Sequence, residues 1–387
     1  MKLVVIGLGQ CGSRIADEFA RLNRQALSQR NTEICPGVFA VNTDAADLSG
    51  LHTIKPDYQH RILIGGRKTG GHGVGKINEV GAEIAREDAD KVVDALRSTK
   101  RFYETDAFML VASAGGGTGS GSLPIMVQHV KERYTDKPVY AMVILPFDHE
   151  QENEERTIYN SAVCLKSVYP VADAVILVDN QRYVKKGYSL QYNLEQINSL
   201  MVEPFYDLLC AGEEKKAKRV GSKTLDAGDI IQTMAGWTVL GHGSSRLGGI
   251  KLGSADFRHK SAETHKGIQA MDAAIAELST KCHPKDAGRA MYLISAPPKE
   301  INMDLVKELG DWLKDLAPNA VIRNGDYPVG KTLDITLILS ELSDMEIVRN
   351  YYNKSTALVP IIKLRQEEVK AKLAGIDNAG KDIPTVF

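Results

Sequence analysis

Short apolar runs alternate with helical patterns along roughly the first half of the chain, and this alternation restricts the fold more than any other feature. The runs are rich in Val, Ile and Leu, as in strands whose two faces are both buried. They predict strands at 2–7, 37–44, 61–65, 106–115, 138–147 and 172–180, separated by predicted helices at 13–27, 77–96, 125–134 and 155–169. The alternation therefore predicts a parallel sheet with helices on both faces, in which a ligand binds at the carboxyl ends of the strands.

The second half of the chain predicts a different arrangement. A helical stretch at 191–211 is long enough to connect two domains, and a charged loop follows it. Further helices are predicted at 227–235, 266–281 and 302–317, and strands at 289–296, 319–325 and 333–340. The fold class is therefore α/β, with a parallel-sheet domain, a long central helix and a smaller α+β C-terminal domain. The predicted boundaries are 1–190, 191–211 and 212–362, with a C-terminal helix and tail at 363–387.

Composition and charge exclude several classes of protein. The 387 residues include 48 Lys and Arg and 49 Asp and Glu, so a net charge of −1 gives no attraction to nucleic acid or to an anionic membrane. The five cysteines are scattered and include no C-x-x-C pair, which argues against a disulfide framework and a zinc site. No apolar run is long enough to span a membrane and the N-terminus does not resemble a signal peptide, so we expect a cytoplasmic protein.

Three glycine-rich segments follow predicted strands. The first, Gly7–Gly12, reads G-x-G-x-x-G, which permits a tight turn and lets backbone N–H groups reach a phosphate. On its own this motif also fits a tight turn without a ligand. The second segment is GGRKTGGHGVG at 65–75, and the third is SAGGGTGSGSLP at 113–124. Because several unobstructed N–H groups at a helix N-terminus attract anions, the three segments together predict a site for a nucleotide di- or triphosphate.

The third glycine segment contains GGGTGSG at 115–121, which resembles the signature of the tubulin/FtsZ superfamily. This signature is the fourth nucleotide loop of the family. Other segments resemble its first, second, third, fifth and sixth loops, in order: GQCG (9–12), VNTDAADL (41–48), TGGHGVGKINEVGAEIA (69–85), LPFDHEQENEER (145–156) and VDNQ (178–181). A tubulin-like first loop with an FtsZ-like second loop is most similar to the archaeal CetZ group. The resemblance implies a cytoskeletal GTPase whose parallel-sheet domain binds GTP or GDP with Mg²⁺.

The resemblance also implies roles for individual residues. The phosphates would be held by Gly9, Gln10, Cys11, Gly12, Gly115, Gly116, Gly117, Thr118, Gly119 and Ser120. Asp44, Gly71 and Gly73 would respond to the terminal phosphate, with Asp44 as the candidate Mg²⁺ ligand. Glu152 and Arg156 would lie near the ribose, and Asn180 and Asn198 would read the base. The family has a base-stacking aromatic residue four positions before Asn198, where this chain has Leu194, and Tyr192 is the alternative.

The segment KTLDAGDIIQTM at 223–234 resembles the FtsZ loop that acts on the nucleotide of a neighbouring subunit. By resemblance, Asp226 and Asp229 are the catalytic candidates, whose carboxylates would orient the attacking water. Thr224 stands where the family has asparagine. On spacing alone, two acids three residues apart before a helix also fit simple capping. The family context favours catalysis and implies that the protein polymerises with itself head to tail, because such contacts do not close.

Two other functions fit parts of the sequence. G-x-G-x-x-G with Asp44 also fits an NAD-dependent oxidoreductase, although that function leaves GGGTGSG and the two acids at 226 and 229 unexplained. A GTP-binding switch that does not polymerise is the other alternative. The C-terminal KDIPTVF has a faint likeness to the FtsZ peptide that recruits membrane tethers, so tethering or accessory proteins are candidate partners. A filament of this family would serve cell division or cell shape.

Overall fold

The computed structural model describes residues 1–184, 190–246, 256–379, 381 and 383, and ten strands of these residues form a single sheet. The strands are β1 (Leu3–Leu8), β2 (Gly37–Asn42), β3 (Arg61–Leu63), β4 (Ala107–Ser113), β5 (Val139–Leu145), β6 (Ala174–Asp179), β7 (Gly236–Ser245), β8 (Ala287–Ser295), β9 (Val321–Tyr327) and β10 (Leu333–Leu342). Their order across the sheet is β3-β2-β1-β4-β5-β6-β7-β10-β8-β9. Every pairing from β3 to β6 is parallel, which confirms the predicted parallel sheet.

Helices connect the strands and cover the sheet. They are α1 (Gly9–Arg30), α2 (Ala45–Ser49), α3 (Gly66–Thr69), α4 (Asn78–Arg97), α5 (Thr118–Arg133), α6 (Asp148–Asn153), α7 (Glu155–Val168), α8 (Leu190–Val202), α9 (Pro204–Ala211), α10 (Ala227–Thr233), α11 (Asp256–Ala276), α12 (Met303–Leu316) and α13 (Glu346–Ala379). None of these helices, within the described ranges, has the length and hydropathy needed to cross a membrane.

The two faces of the sheet belong to separate cores because successive side chains of a strand point in opposite directions. On β1, Val4 and Ile6 pack into a cluster that includes residues of α4, α5 and α7. Leu3 and Val5 pack on the opposite face, with residues of α1, α8 and α9. All six residues of β1 are buried, as expected for a central parallel strand.

Strand β7 was not predicted from the sequence. Its segment, GWTVLGHGSS, includes glycine at 236, 241 and 243, and glycine weakens a strand pattern. The structure needs the glycines at 241 and 243, because a Cβ at either position would overlap a backbone carbonyl of α11. Since β7 pairs with β6 in parallel and with β10 in antiparallel fashion, the sheet continues without a break between the two halves of the chain.

Two helix predictions differ from the structure. The predicted helix at 191–211 is divided into α8 and α9, because Pro204 lacks the N–H that would continue the hydrogen-bond ladder. The C-terminal helix was predicted only after residue 362, but α13 begins at Glu346 and carries Pro360 inside it. Its first turns are anchored in the core through the buried Val348 and Tyr351. The terminal KDIPTVF lies mostly outside the described residues.

Candidate functional site

The first and fourth loops meet at the carboxyl edge of the sheet. Gly9, the first residue of α1, has a φ of +68°, and a Cβ added to it would lie 2.9 Å from the backbone nitrogen of Gly119. A side chain at position 9 would therefore push the two loops apart. Thr118 of the fourth loop reaches the second loop, since its Oγ1 lies 2.7 Å from the Oγ1 of Thr43 in a buried hydrogen bond. The loops after β1, β2 and β4 thus form one continuous surface.

The second and third loops are joined by backbone hydrogen bonds. The N–H of Ala45 donates to the carbonyl of Gly71 at 3.0 Å, and the N–H of Gly73 donates to that of Thr43 at 3.2 Å. Gly71 and Gly73 have φ values of +82° and +79°, in the left-handed region that glycine adopts readily. The glycines therefore allow the third loop to fold back against Asp44, which precedes α2.

Helices α1 and α5 both begin at this edge with open N-termini. The first N–H groups of a helix have no partner within it, which leaves those of Thr118, Gly119 and Ser120 in α5 available. Neither helix has an acidic residue in its first turn, so no carboxylate of its own competes for the positive end of its dipole. Two such N-termini side by side are suited to a ligand with several phosphates.

The glycines of the fourth loop serve different purposes. A Cβ at Gly117 would lie 2.8 Å from the backbone of Lys76, and one at Gly121 would overlap the carbonyl of Asn78. Both glycines therefore let α5 pack closely against the third loop and α4. A Cβ at Gly116, in contrast, would have no atom within 4 Å. The bare backbone at Gly116 is thus not required by packing and leaves room for a ligand.

The hydroxyl groups of the fourth loop are already hydrogen-bonded within the protein. The Ser120 hydroxyl donates to the carbonyl of Gly116, and that of Thr118 bonds to Thr43. Backbone N–H groups, rather than hydroxyls, are therefore the available donors of this loop. Burial, together with the nearby Glu150 carboxylate, raises the pKa of Cys11 in the first loop to about 12, so its thiol stays protonated at neutral pH.

A network that the sequence did not reveal links the first and second loops. Asp47 accepts from the Gln10 amide at 2.8 Å and from the Asn42 amide at 3.0 Å. Asp44 caps α2, and its Oδ1 accepts the N–H groups of Ala46 and Asp47 at 2.9 and 3.1 Å. Gln10 is consequently held by Asp47.

Asp44 offers one carboxylate oxygen, Oδ2, to a cation. Its Oδ2 is absent from the capping bonds, and a Cβ at Gly73 would be 3.8 Å from it. No group of three or more metal-ligating side chains exists among the residues that the structure describes. A Mg²⁺ ion fits this donor set only if oxygen atoms of a bound phosphate complete its coordination, as is common for this ion.

Asn160 of α7 is a positioning residue that was missed from the sequence. It is fully buried, and its amide lies 2.9 Å from the carbonyl oxygen of Lys76 and 3.2 and 3.1 Å from those of Gly115 and Gly116. One side chain therefore ties the third loop to the fourth. The available signal was an asparagine inside a predicted helix, because an amide buried there requires partners.

Replacing Asn160 by alanine is expected to destabilise the protein by about 1–3 kcal/mol, because buried carbonyls lose their donor. The affinity for nucleotide should fall as well, since two loops lose a common anchor. Urea unfolding and nucleotide titration measure the two effects. Ser161→Ala is the matched control, because among the described residues the buried Ser161 hydroxyl bonds only within α7, to the carbonyl of Thr157. Equal behaviour of the two variants would contradict the anchoring role.

The structure does not bring Glu152 and Arg156 together. Glu152 is exposed on α6 and Arg156 lies on α7, because the backbone of Glu154 is extended and separates the two helices. Arg156 instead forms an ion pair with Glu79 at the start of α4, and its guanidinium lies 5.2 Å from the centre of the Tyr159 ring. The two residues expected at the ribose thus have different surroundings.

The base-reading candidates lie on α8 and on the turn that follows β6. Asn180 is buried at the start of a 3₁₀ turn, Asn180–Tyr183, that follows β6. Asn198 and Leu194 line a cleft of about 760 Å³ between α1 and α8. Tyr192, the alternative to Leu194, has a side chain outside the described residues.

Asp226 and Asp229 form a capping box at the start of α10. The Asp226 carboxylate accepts the N–H of Asp229 at 2.9 Å, and the Asp229 carboxylate accepts that of Asp226 at 3.4 Å. Asp229 is also 3.7 Å from Arg323. The two acids therefore cap α10, as their spacing suggested. Asp226 is exposed, and its second carboxylate oxygen takes no part in the cap.

Comparison with known proteins supports the resemblance. Residues 2–186 match the model of the tubulin/FtsZ family GTPase domain, and residues 187–356 match that of the tubulin-like CetZ C-terminal domain. Tubulin-like protein CetZ1 of Haloferax volcanii is 35% identical over 85% of both chains. Tubulin-like protein CetZ of Pyrococcus furiosus is 32% identical over 97% of this chain and 93% of that protein.

Solved structures give the same result. The GDP-bound monomer of H. volcanii CetZ1 has a TM-score of 0.79 at 30% identity, covering 92% of this chain and 99% of that one. The GTPγS-bound protofilament of H. volcanii CetZ2 has a TM-score of 0.80 at 28% identity, covering 94% and 100%. This chain therefore belongs to the tubulin/FtsZ family of GTPases and, within it, to the tubulin-like CetZ group.

Proposed function

We propose that this protein binds GTP and GDP at the carboxyl edge of its sheet and assembles head to tail into protofilaments. GTP is then hydrolysed where the Asp226 segment of one subunit meets the nucleotide of the next. The GDP-bound monomer of CetZ1 and the GTPγS-bound protofilament of CetZ2 support both parts by analogy. The open helix N-termini at the loops support nucleotide binding independently.

The location of Asp226 carries the proposal. A Cβ at Gly212 would lie 3.1 Å from the Cα of Asp226, and Glu213, the next residue, lies 3.1 Å from the N-terminal amino group. Asp226 is therefore beside the amino end of β1, whereas the phosphate loops follow the carboxyl ends of β1 and β4. The six residues of β1 separate these positions by about 20 Å. One subunit cannot bring both groups to one nucleotide, so a second subunit is needed.

In this proposal each group has one task. The phosphates are held by the first and fourth loops, at Gly9, Gln10, Cys11, Gly12, Gly115, Gly116, Gly117, Thr118, Gly119 and Ser120. Asp44, beside Gly71 and Gly73, would hold Mg²⁺, which when bound would supply neutralisation of the charge that develops on the phosphates. Asn180 and Asn198 read the base, and Glu152 and Arg156 lie toward the ribose. Asp226 and Asp229 of the neighbouring subunit orient the attacking water.

In this proposal each part of the chain has its own task. Residues 1–190 form the GTP-binding unit, 191–211 connect it to 212–362, which supplies the activating acids, and 363–387 contain the last part of α13 and the residues that follow it. The contact between subunits is heterologous, so assembly continues into a filament. We propose that this filament acts in the cytoplasm, in cell division or in the control of cell shape, with tethering or accessory proteins as further partners.

Sedimentation and light scattering in Mg²⁺ with GTP or GDP test the proposal. We expect polymer with GTP and its loss as GTP is consumed. GTP binding without assembly at high protein concentration would instead favour a switch that does not polymerise. Binding of NADH in preference to GTP would overturn the proposal. Negative-stain imaging of the same samples shows whether the assemblies are filaments.

A further inference from the structure

Arg323 lies beside the two acids that begin α10. It belongs to β9, the last strand in the order of the sheet, and it pairs in register with Met291 of β8. Met291 contacts α10, since the Thr233 hydroxyl lies 3.9 Å from its sulfur atom. Paired residues of neighbouring strands point to the same face of a sheet. Arg323 and α10 therefore lie on the same face, at the outer end of the sheet.

Two side chains of α10 hold the Arg323 guanidinium. Its Nη2 donates to Oε1 of Gln232 at 2.6 Å, and its Nε lies 3.7 Å from Oδ1 of Asp229. Asp229 is bonded in turn to Asp226 through the capping box. One guanidinium and two carboxylates therefore form a single cluster, in which Arg323 is one side chain away from Asp226.

The charge of Arg323 is less fully paired than that of its neighbour Arg289. Arg289 contacts the same residue of α10, since its Nη1 donates to the carbonyl of Gln232 at 2.7 Å, and its Nε donates to Glu341 at 2.8 Å. The acid beside Arg323 is Asp229, at a distance too long for a hydrogen bond. The Arg323 side chain is 25% exposed, and neither of its contacts with α10 uses Nη1. Arg323 is thus held in place and keeps donors for a ligand.

The proposed contact between subunits brings negative charge to negative charge. It places Asp226 and Asp229 against the phosphates of a neighbouring nucleotide, and like charges at close range repel each other. Further negative charge develops on the phosphate oxygens during transfer of the terminal phosphoryl group. A cation that arrives with the acids offsets both effects. The planar guanidinium of arginine suits this task because its donors match two oxygens of a phosphate.

We propose that Arg323 is a catalytic residue that acts across the contact between subunits, where its guanidinium binds the terminal phosphate of the neighbour's nucleotide. This inference rests on the proposed function, since it requires that the Asp226 segment meet that nucleotide. In the reaction the oxygen of water bonds to the terminal phosphorus, the bond from that phosphorus to the bridging oxygen breaks, and GDP leaves with the electron pair. One proton of the water stays on the released phosphate, and the other passes to the carboxylate that orients the water. Arg323 stabilises the charge on the phosphate oxygens during this step.

Phosphate release and sedimentation of the full chain and of Arg323→Gln, in Mg²⁺ and GTP, test the proposal. Glutamine can still hydrogen-bond to Gln232 but carries no charge. We expect Arg323→Gln to assemble with GTP and to turn it over about a hundredfold or more slowly, as for loss of one donor that stabilises transition-state charge. Arg289→Gln is the matched control, because Arg289 also contacts Gln232 but lies beside Glu341 instead of Asp229. It should turn over GTP at the rate of the unaltered protein.

Unaltered turnover in assembled Arg323→Gln would overturn the proposal. Urea unfolding shows whether this variant is folded. Should it not fold, Arg323→Lys decides, because lysine keeps the charge and lacks the fork of donors. Arg323→Lys should lose part of the turnover, and full turnover in it would count against a direct contact with phosphate.

An Asp229→Asn background separates a direct role of Arg323 from one exerted through Asp229. If the guanidinium contacts the phosphate, Arg323→Gln should lower turnover by a similar factor in the presence of Asp229 and of its asparagine variant. If it costs nothing further in the Asp229→Asn protein, Arg323 only positions Asp229, and this inference fails while the proposed function stands. If the unaltered protein neither binds GTP nor assembles, the two fail together.

Discussion

Replacing Gly116 by valine is expected to abolish GTP binding while leaving the stability of the free protein nearly unchanged. A Cβ at this position has no neighbour within 4 Å and the backbone is not in the left-handed region, so the fold does not require glycine there. It occupies the space where a phosphate would contact the fourth loop. Hydrogen bonds to charged groups contribute about 1.5–3 kcal/mol each, so losing two of them weakens binding by about a hundredfold or more.

Gly121→Ala is the matched comparison and should behave in the opposite way. Its Cβ would overlap the carbonyl of Asn78 and lie 2.7 Å from the backbone nitrogen of Ala82. Alanine gains about 1 kcal/mol of helix propensity over glycine, but forcing α4 and α5 apart costs about 1–3 kcal/mol or more. Urea unfolding and GTP titration of both variants separate the two effects. Unchanged GTP affinity in Gly116→Val would contradict a phosphate at this loop.

The parallel sheet and its loops could be predicted because the signals are local. Strands β1, β2, β4, β5 and β6 each contain a run of four or more apolar residues, and each glycine segment directly follows a strand or its turn. The element order then fixes where the loops lie, since parallel strands end at a common edge. Strand β7 escaped prediction because its glycines are explained only by contact with α11, whose residues lie about thirty positions further along the chain.

Several side-chain partners could not be predicted for the same reason. Arg156 was expected near the ribose with Glu152, but its ion pair joins it to Glu79, 77 residues earlier in the chain. Asn160 binds carbonyls of two loops that precede it by more than 40 residues. Periodicity and spacing describe neighbours along one helix or strand, whereas these contacts depend on how α4, α5 and α7 pack. Sequence motifs therefore identified the loops, whereas the side chains that hold the loops in place depend on helix packing.

Asp226 illustrates a motif with two compatible explanations. The capping box is complete in the structure, and an acid at a helix N-terminus needs no further reason. The second explanation is action on the nucleotide of a neighbouring subunit. It is supported by the location of Asp226 at the edge of the sheet opposite the phosphate loops, which sequence spacing alone does not reveal. Substitutions that separate the two roles are therefore decisive.

Replacing Asp226 by asparagine is expected to leave GTP binding and assembly intact and to lower GTP turnover by about a hundredfold or more, as for loss of a group that orients or activates water. Asparagine caps a helix as well as aspartate does, so α10 should remain stable. Asp226→Ala removes the cap too and should cost about 1 kcal/mol in addition. Phosphate release and urea unfolding measure the two quantities, and wild-type turnover in Asp226→Asn would reduce Asp226 to a helix cap.

Mixing Asp226→Asn with Gly116→Val tests whether the acid acts on the neighbour's nucleotide. The first variant binds GTP but lacks the acid, and the second has the acid but cannot bind GTP. Alone, the first variant should turn over GTP about a hundredfold more slowly than the unaltered protein, and the second should not turn it over. When an Asp226→Asn subunit presents its nucleotide to the Asp226 of a Gly116→Val subunit, that contact contains every required group, so turnover should reappear. If the two variants associate and turnover does not reappear, the acid does not act across the contact. Recovery, in contrast, has no explanation within a single subunit, because Asp226 and the loops lie at opposite edges of the sheet.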